Sequence, residues 1–436
     1  MGSKWIEVSL GEISEKIGDG IHGTPVYNDS GNYYFINGSN LSDNSIKITD
    51  TTKRVDHDEF LKHRKELGDN TVLVSINGTI GNTALYNNEN IILGKSACYI
   101  NLKDSISKYF ILYILSGYLF QEYIQRCSTG STIKNVSLKM MRDFRFLMPE
   151  SKEDQEKAVY IIQKVDERKR LSNVQNQTLE QMSQTLFKSW FVDFDPVIDN
   201  ALDAGHPIPE ALQSRAELRQ KVRNSADFKP LPAGIRALFP AEFEEKELDC
   251  VPKGWVTNRL ENILELAYGK ALKKTERTNG DYPVYGSGGV DGTHNEYLVK
   301  GPGIIVGRKG TVGSLHWENK DFYPIDTVFF VKPKEYYSLV YCYQLLKTLG
   351  LENMNTDAAV PGLNRNNAYR LEVVTPTQSI IAKFTNIIQT IQHKMDANHN
   401  EIENLTALRD TLLPKLISGE LSLEDLPDLV TQTEPA

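Results

Sequence analysis

The chain repeats itself. WIEVSLGEI at Trp5 returns as WVTNRLENI at Trp255. VLVSINGTIGNTAL (residues 72–85) returns as IIVGRKGTVGSLHW (residues 304–317). In both, a β-branched apolar run enters a Gly-Thr-Ile/Val-Gly turn and leaves again. FRFLMPESKEDQEKAVYIIQKVDERKRLS, from Phe144, returns as LEVVTPTQSIIAKFTNIIQTIQHKMDANH, from Leu371. Pro149 falls on Pro376, and the phase holds as far as Lys188 on Lys415. Self-similarity of this kind constrains the architecture before any motif does. The chain reads as globule, helix, globule, helix, with about 200 residues in each unit.

Each globule reads as mixed α and β. Short β-branched or aromatic runs at 33–36, 71–76, 97–102, 303–306 and 327–331 are bounded by Gly, Asn and Asp turns. One helix-like segment follows in each globule, at 107–125 and 336–349. After Pro149 and Pro376 the period becomes helical. In the second half Phe384, Ile388, Ile391, Met395, Asn398, Ile402, Leu405, Arg409, Leu412 and Leu416 alternate steps of four and three, a coiled-coil seam with one asparagine and one arginine in it. The first half offers Ile161, Ile162, Val165, Leu171, Val174, Leu179, Met182 and Leu186, in a less certain register. A helix of about 40 residues is roughly 60 Å long, and its natural partner is its own repeat. The expected fold is α+β: two mixed α/β globules in pseudo-twofold tandem repeat, joined by two long helices pairing as an antiparallel coiled coil. The expected boundaries are 1–150 and 255–376 for the globules, 151–192 and 377–419 for the helices, 193–254 for a linker and 420–436 for an acidic tail.

Composition narrows the class. At 436 residues the chain exceeds one ordinary core. No stretch reaches the roughly 18 uncharged apolar residues of a membrane span, and MGSKWIEVSL lacks the layout of a signal peptide. Cys98, Cys127, Cys250 and Cys342 lie far apart, which argues against zinc and against a disulfide framework. A cytoplasmic protein with reduced thiols is expected. The net charge of −8 seems to oppose nucleic-acid binding, but its distribution removes the objection. Residues 1–150 carry 16 Lys+Arg against 17 Asp+Glu, and residues 255–376 carry 14 against 13. The acidic excess lies outside the globules, so either one can present a basic face.

Between the halves stands LFKSWFVDFDPV, an aromatic block stopped by two aspartates and a proline, followed by the linker IRALFPAEFEEKELDCVPKGW. The second helix closes with LRDTLLPKLISGEL. With the tandem globules and helices, these stretches make the chain resemble, over essentially its whole length, the specificity (S) subunit of type I restriction–modification systems. The resemblance implies a DNA-binding protein without catalysis of its own. Its globules would be target recognition domains, each reading one half of a split duplex sequence, and its helices a spacer that fixes the gap. The partners implied are double-stranded DNA, two modification (methyltransferase) subunits and two restriction (translocase–endonuclease) subunits, with no membrane. S-adenosylmethionine would belong to the methyltransferase partner, and ATP and Mg to the restriction partner. Trp190, Phe191, Asp193 and Asp195, where helix, linker and second globule meet, suit a partner-docking surface or a helix-end lock.

The residues agree with an accessory role. An amino-methyltransferase needs an Asn/Asp-Pro-Pro-aromatic motif for the flipped base, and none occurs. ILGKS at 92–96 imitates the end of a P-loop, but Glu89 occupies the upstream glycine position. The eight histidines show no metal spacing, and no metal is expected. Base readout needs Arg, Lys, Asn, Gln, Ser or Thr at groove edges, and phosphate contacts need amides and cations. Three loop sets recur with such chemistry. The candidates are Thr24, Tyr27, Asn77, Thr79, Lys134, Asn135 and Lys139 in the first half. In the second they are Lys270, Lys273, Lys274, Arg308, Lys309, Thr311, Asn364 and Arg365. Two other classes fit the bare residues: a coiled-coil scaffold whose globules bind protein, and a recognition subunit working with a partner enzyme of another type.

Overall fold

The computed structural model describes residues 4–128, 135–245, 250–354 and 362–421. The chain divides into two compact units, Met1–Leu171 with Glu401–Ala436, and Ser172–Asn400. Both are built on one topology. In the first unit a four-stranded antiparallel sheet runs in the order Ser14–Asp19, Ala97–Leu102, Thr71–Ser75, Thr83–Leu85. A smaller sheet places Tyr33–Ile36 antiparallel to Arg54–Val55 and parallel to Ile91–Leu93. The opening strand Trp5–Ser9 pairs with Arg145–Pro149, closing the globule at the root of its helix.

The second unit repeats each of these pairings. Its four-stranded sheet runs Leu264–Tyr268, Val328–Pro333, Gly303–Gly307, Leu315–Glu318. Tyr282–Gly286 pairs antiparallel with Gly289–His294 and parallel with Tyr323–Pro324. Val256–Arg259 pairs with Glu372–Thr375. The central strands are buried on both faces because a helix covers one face and the smaller sheet the other: Thr71–Ser75 and Gly303–Gly307 are buried at every position. In the first unit the covering segment is broken by Gly117 into Lys108–Ser116 and Tyr118–Cys127. In the second it is the single helix Leu339–Thr348.

The two long helices are Lys152–Phe191 and Gln378–Ser418. Within each unit their segments pair antiparallel, since partner numbers fall on one helix as they rise on the other. In the first unit Asp166 meets Arg409 at 3.5 Å and Arg168 meets Glu401 at 2.7 Å. In the second, Asn176 reaches the Met395 carbonyl (3.2 Å), and Phe187 and Phe191 reach Phe384. Asn398, the seam asparagine, is 1% exposed and donates to Asn176 Oδ1 at 2.7 Å and Gln175 Oε1 at 2.9 Å. A buried amide so satisfied fixes register.

The seam of the first helix follows the sequence expectation at Ile162 and Val165, which are buried, and departs from it farther along. Leu171, Val174 and Met182 are about half exposed, whereas Ser172, Asn176 and Ser183 are buried. Small and amide side chains face the partner helix here, so the apolar residues fall on the outer side.

The aromatic block also turns inward. Trp190 is 1% exposed and Phe191 6% exposed. The Trp190 ring lies 5.0 Å from Phe239 and 5.9 Å from Phe384. Phe191 packs on Phe384, Tyr341 and Trp255. The end of one long helix, the start of the other and the first tryptophan of the second globule thus share one cluster. Phe194 adopts a left-handed conformation (φ 54°), and Pro196 sits in the first turn of the next helix, Asp195–Ala204. Asp195 is buried and receives both arms of Arg215 (2.7 Å each) and the Ser189 hydroxyl (2.7 Å). Asp193 takes Lys188 at 2.5 Å and Arg215 at 3.0 Å. The two rings are buried and the two carboxylates are paired where the helix ends.

The segment expected as a linker is folded by charge. Arg215 pairs with Asp195, Arg219 with Asp199 and Arg223 with Asp203. Each rung joins the helix Asp195–Ala204 to Gln213–Arg223 at a constant offset of 20 residues, so the two helices run parallel. Replacing Trp190 with alanine should cost the second unit about 3–5 kcal/mol, the range for deleting a buried large aromatic. Urea unfolding checks this, and a loss under about 1 kcal/mol would place the ring outside the core.

Candidate nucleic-acid interface

Both globules gather loops around one turn. In the first it is the turn at 93–97, which leads into Ala97–Leu102. The Ile21 N–H donates to the Leu93 carbonyl (2.8 Å) and the Ile76 N–H to the Ser96 carbonyl (2.9 Å). The Val136 N–H donates to the Ile76 carbonyl (2.9 Å), and Asn77 bridges to Asn135. In the second globule the turn lies at 324–328. The Lys270 N–H donates to the Pro324 carbonyl (3.1 Å), and the Arg308 and Lys309 amides donate to the Thr327 carbonyl (2.9 and 3.0 Å). The Leu363 N–H donates to the Arg308 carbonyl (2.8 Å), and Lys309 bridges to Gly362. Three loops far apart in sequence are drawn together by main-chain bonds in both copies.

Glycine permits the approach. A Cβ on Gly20 would lie 2.0 Å from the Leu93 carbonyl oxygen, and one on Gly269 would lie 2.1 Å from that of Ile325. Both distances are well inside contact, so no side chain fits at either position.

The structure brings together some sequence candidates and separates others. Asn77, Thr79 and Asn135 flank the first turn, with Lys139 on the adjoining helix Leu138–Asp143; all but half-buried Asn77 are exposed. Lys134 lies outside the described residues. Thr24 and Tyr27 sit farther along their loop, where the contacts run to Phe35 (5.8 Å from the Tyr27 ring) and, through Val26, to Glu59 (3.1 Å). In the second globule Lys270, Arg308, Lys309, Asn364 and Arg365 gather at the turn, and exposed Thr311 follows them. Asn364 caps the short helix Arg365–Tyr369 by accepting from the Asn366 and Asn367 amides. Lys273 and Lys274 are spoken for by acids: Lys274 meets Asp291 at 2.8 Å and Lys273 meets Glu276 at 3.6 Å. Hydrogen bonds from Lys274 and Arg277 hold the Asp291 carboxyl below its usual range.

Two residues escaped the sequence reading. Lys95, inside the stretch discarded as a failed P-loop, stands exposed at the first turn; among the described residues it has no ion pair. The strand registers put Asp326 at the matching place in the second turn, a reversal of charge. Aligning ILGKSACYI with YPIDTVFFV would have found both. Tyr268, at the end of its strand and 48% exposed, has the Arg308 guanidinium 4.9 Å and the Arg365 guanidinium 4.7 Å from its ring centre. Its counterpart in the first globule is Asp19, which binds His22 at 2.8 Å.

A duplicated scaffold that holds unlike polar loops on matching frameworks is the class this geometry defines. The family model for the type I restriction modification DNA specificity domain matches residues 2–181 and again 252–406. The chain belongs to that family. It is 26% identical to the type I restriction enzyme HindI specificity subunit of Haemophilus influenzae, over 96% of this chain and 100% of that protein. It is 23% identical to the MjaIX specificity subunit of Methanocaldococcus jannaschii, over 82% and 78% of the two chains. The crystal structure of a type I restriction–modification S subunit from M. genitalium shares the fold, with a TM-score of 0.54 at 20% identity over 95% of this chain and 96% of that one.

Replacing Gly269 with alanine should push its loop off the turn at 324–328 and free the Lys270 amide. Hydrogen exchange at that amide should quicken by about tenfold or more as the local bond opens. Unchanged protection would mean that the loop is held elsewhere.

Proposed function

We infer that this chain is the DNA-reading subunit of a type I restriction–modification complex. Each globule reads one half of a bipartite duplex target, the long helices set the gap, and catalysis comes from methyltransferase and restriction partners in the cytoplasm. The observation that carries the reading is the contrast between the two loop clusters. Four main-chain pairings recur in both frameworks, yet Lys95 corresponds to Asp326, Asn77 to Lys309 and Ile76 to Arg308. Loops that differ this much on equal supports suit two unlike half-sequences. Main-chain amides and free cations supply phosphate contacts, and Asn, Arg and Thr supply the base edges.

The modification subunits dock on the helices. Val174, Thr178 and Met182 lie in steps of four on the outer side of Lys152–Phe191 and are exposed, which suits them to a partner face. S-adenosylmethionine is bound by the methyltransferase, and ATP with Mg by the restriction subunits.

The purified chain should shift duplex DNA but transfer no methyl groups, and adding the cognate methyltransferase subunits should give S-adenosylmethionine-dependent methylation. Exchanging residues 1–150 for those of another family member should change one half of the methylated target and leave the other intact. Loss of both halves would refute the assignment of one globule to one half.

The helices should behave as a ruler. Four residues inserted near Gln175 add roughly 6 Å of helix. With base pairs rising about 3.4 Å each, the preferred gap should grow by one or two base pairs while both half-sequences persist. Methylation of targets with graded gaps reads this, and an unmoved optimum would make the helices a tether.

A further inference from the structure

Arg308 and Arg365 come from loops more than fifty residues apart, yet both guanidiniums rest within 5 Å of the centre of one ring, Tyr268. That ring is itself set: it packs at 5.0 Å on Phe329, which is fully buried. Arg308 is further tied by a 2.8 Å bond from Nη1 to the Asp326 carbonyl. Arg365 also lies 5.7 Å from the Tyr369 ring, whose hydroxyl accepts from the Leu266 amide at 2.9 Å. Among the described residues neither arginine has a carboxylate partner, and Arg365 Nε is buried without a hydrogen bond. Two half-buried cations are thus held on one partly exposed ring without a carboxylate partner among the described residues.

We propose that Tyr268 is a positioning residue that holds Arg308 and Arg365 as fixed readers of guanine, so that the half-target read by the second globule has a G·C pair under each arginine. The proposal rests on the DNA-reading function above and specifies its chemistry at this site. A phosphate contact needs only a cation on a flexible stem, which exposed Lys270 and Lys309 already offer beside the pair. A guanidinium held over a ring has a restricted range of positions before DNA arrives. A planar fork so restricted matches the O6 and N7 acceptors of guanine in the major groove, and contact with the ring removes much of the rotamer freedom that arginine otherwise loses on binding. The first globule lacks the device. Asp19 stands in place of Tyr268 and is engaged by His22, and Ile76 stands in place of Arg308 and is 4% exposed.

The test uses the full chain assembled with its methyltransferase subunits. Its target is first defined by methylation sequencing, then probed with duplexes that carry each single base-pair change. Arg308→Ala and Arg365→Ala should each abolish discrimination at one G·C pair of the second half. The loss should be about 5- to 150-fold, the range of one bidentate arginine–guanine contact, and the first half should stay fully discriminated. Tyr268→Leu should weaken discrimination at both pairs together, while Tyr268→Phe keeps it, because the ring and not the hydroxyl holds the arginines. A uniform loss for every sequence, with the salt slope falling by about 0.9 for each arginine removed, would make them phosphate contacts and overturn the proposal. So would an unaltered profile in Tyr268→Leu. A wild-type complex with no sequence preference would instead refute the DNA-reading function itself.

Discussion

The cluster of Trp190, Phe191 and Phe384 joins parts of the chain that lie nearly two hundred residues apart. It takes two rings from the end of one long helix and a third from the start of the other, and seats them against Trp255, the entrance of the second globule. Burial of large rings is the strongest non-directional force available to a domain of this size. The buried Asp195, held by Arg215 and Ser189, turns the backbone immediately beyond it. Once the two helices are clamped at this end, the amide pair Asn176–Asn398 has a single register in which both groups are satisfied. The clamp supplies adhesion and the amides supply alignment. Neither would serve alone.

That division of labour explains what was legible beforehand. The strands could be read as short β-branched or aromatic runs between turn residues, and the second long helix from its apolar period of three to four. Phe384, Ile388 and Met395 follow that period and are buried. The first helix misleads because its inward positions are Ser172, Asn176 and Ser183, while Leu171, Val174 and Met182 point out. A hydrophobic pattern cannot reveal a seam built from small and amide side chains. The ladder from Asp195 to Arg223 was equally hidden. Its aspartates and its arginines each recur every four residues, but that period does not say which helix, 20 residues away, each row pairs with.

The binding loops were half legible for a related reason. Residue type marks Asn77, Arg308, Lys309 and Arg365 as suitable for DNA, and the recurrence of their loops gives them a common place. Lys95 was missed because the stretch around it imitates a different motif, and Tyr268 because the lysines that follow it in the same loop drew the choice. Only the strand registers show that both stand where three loops meet.

The bonds that gather those loops belong to the backbone. Leu93, Ser96, Pro324 and Thr327 offer carbonyls, and Ile21, Ile76, Lys270, Arg308 and Lys309 answer with amides. A bond of this kind is indifferent to the side chain on either residue, provided that glycine stays where the chains come closest. The scaffold can therefore keep its shape while its loop residues are exchanged wholesale. A lineage that inherits it acquires a new vocabulary by substitution, without having to invent a new grammar.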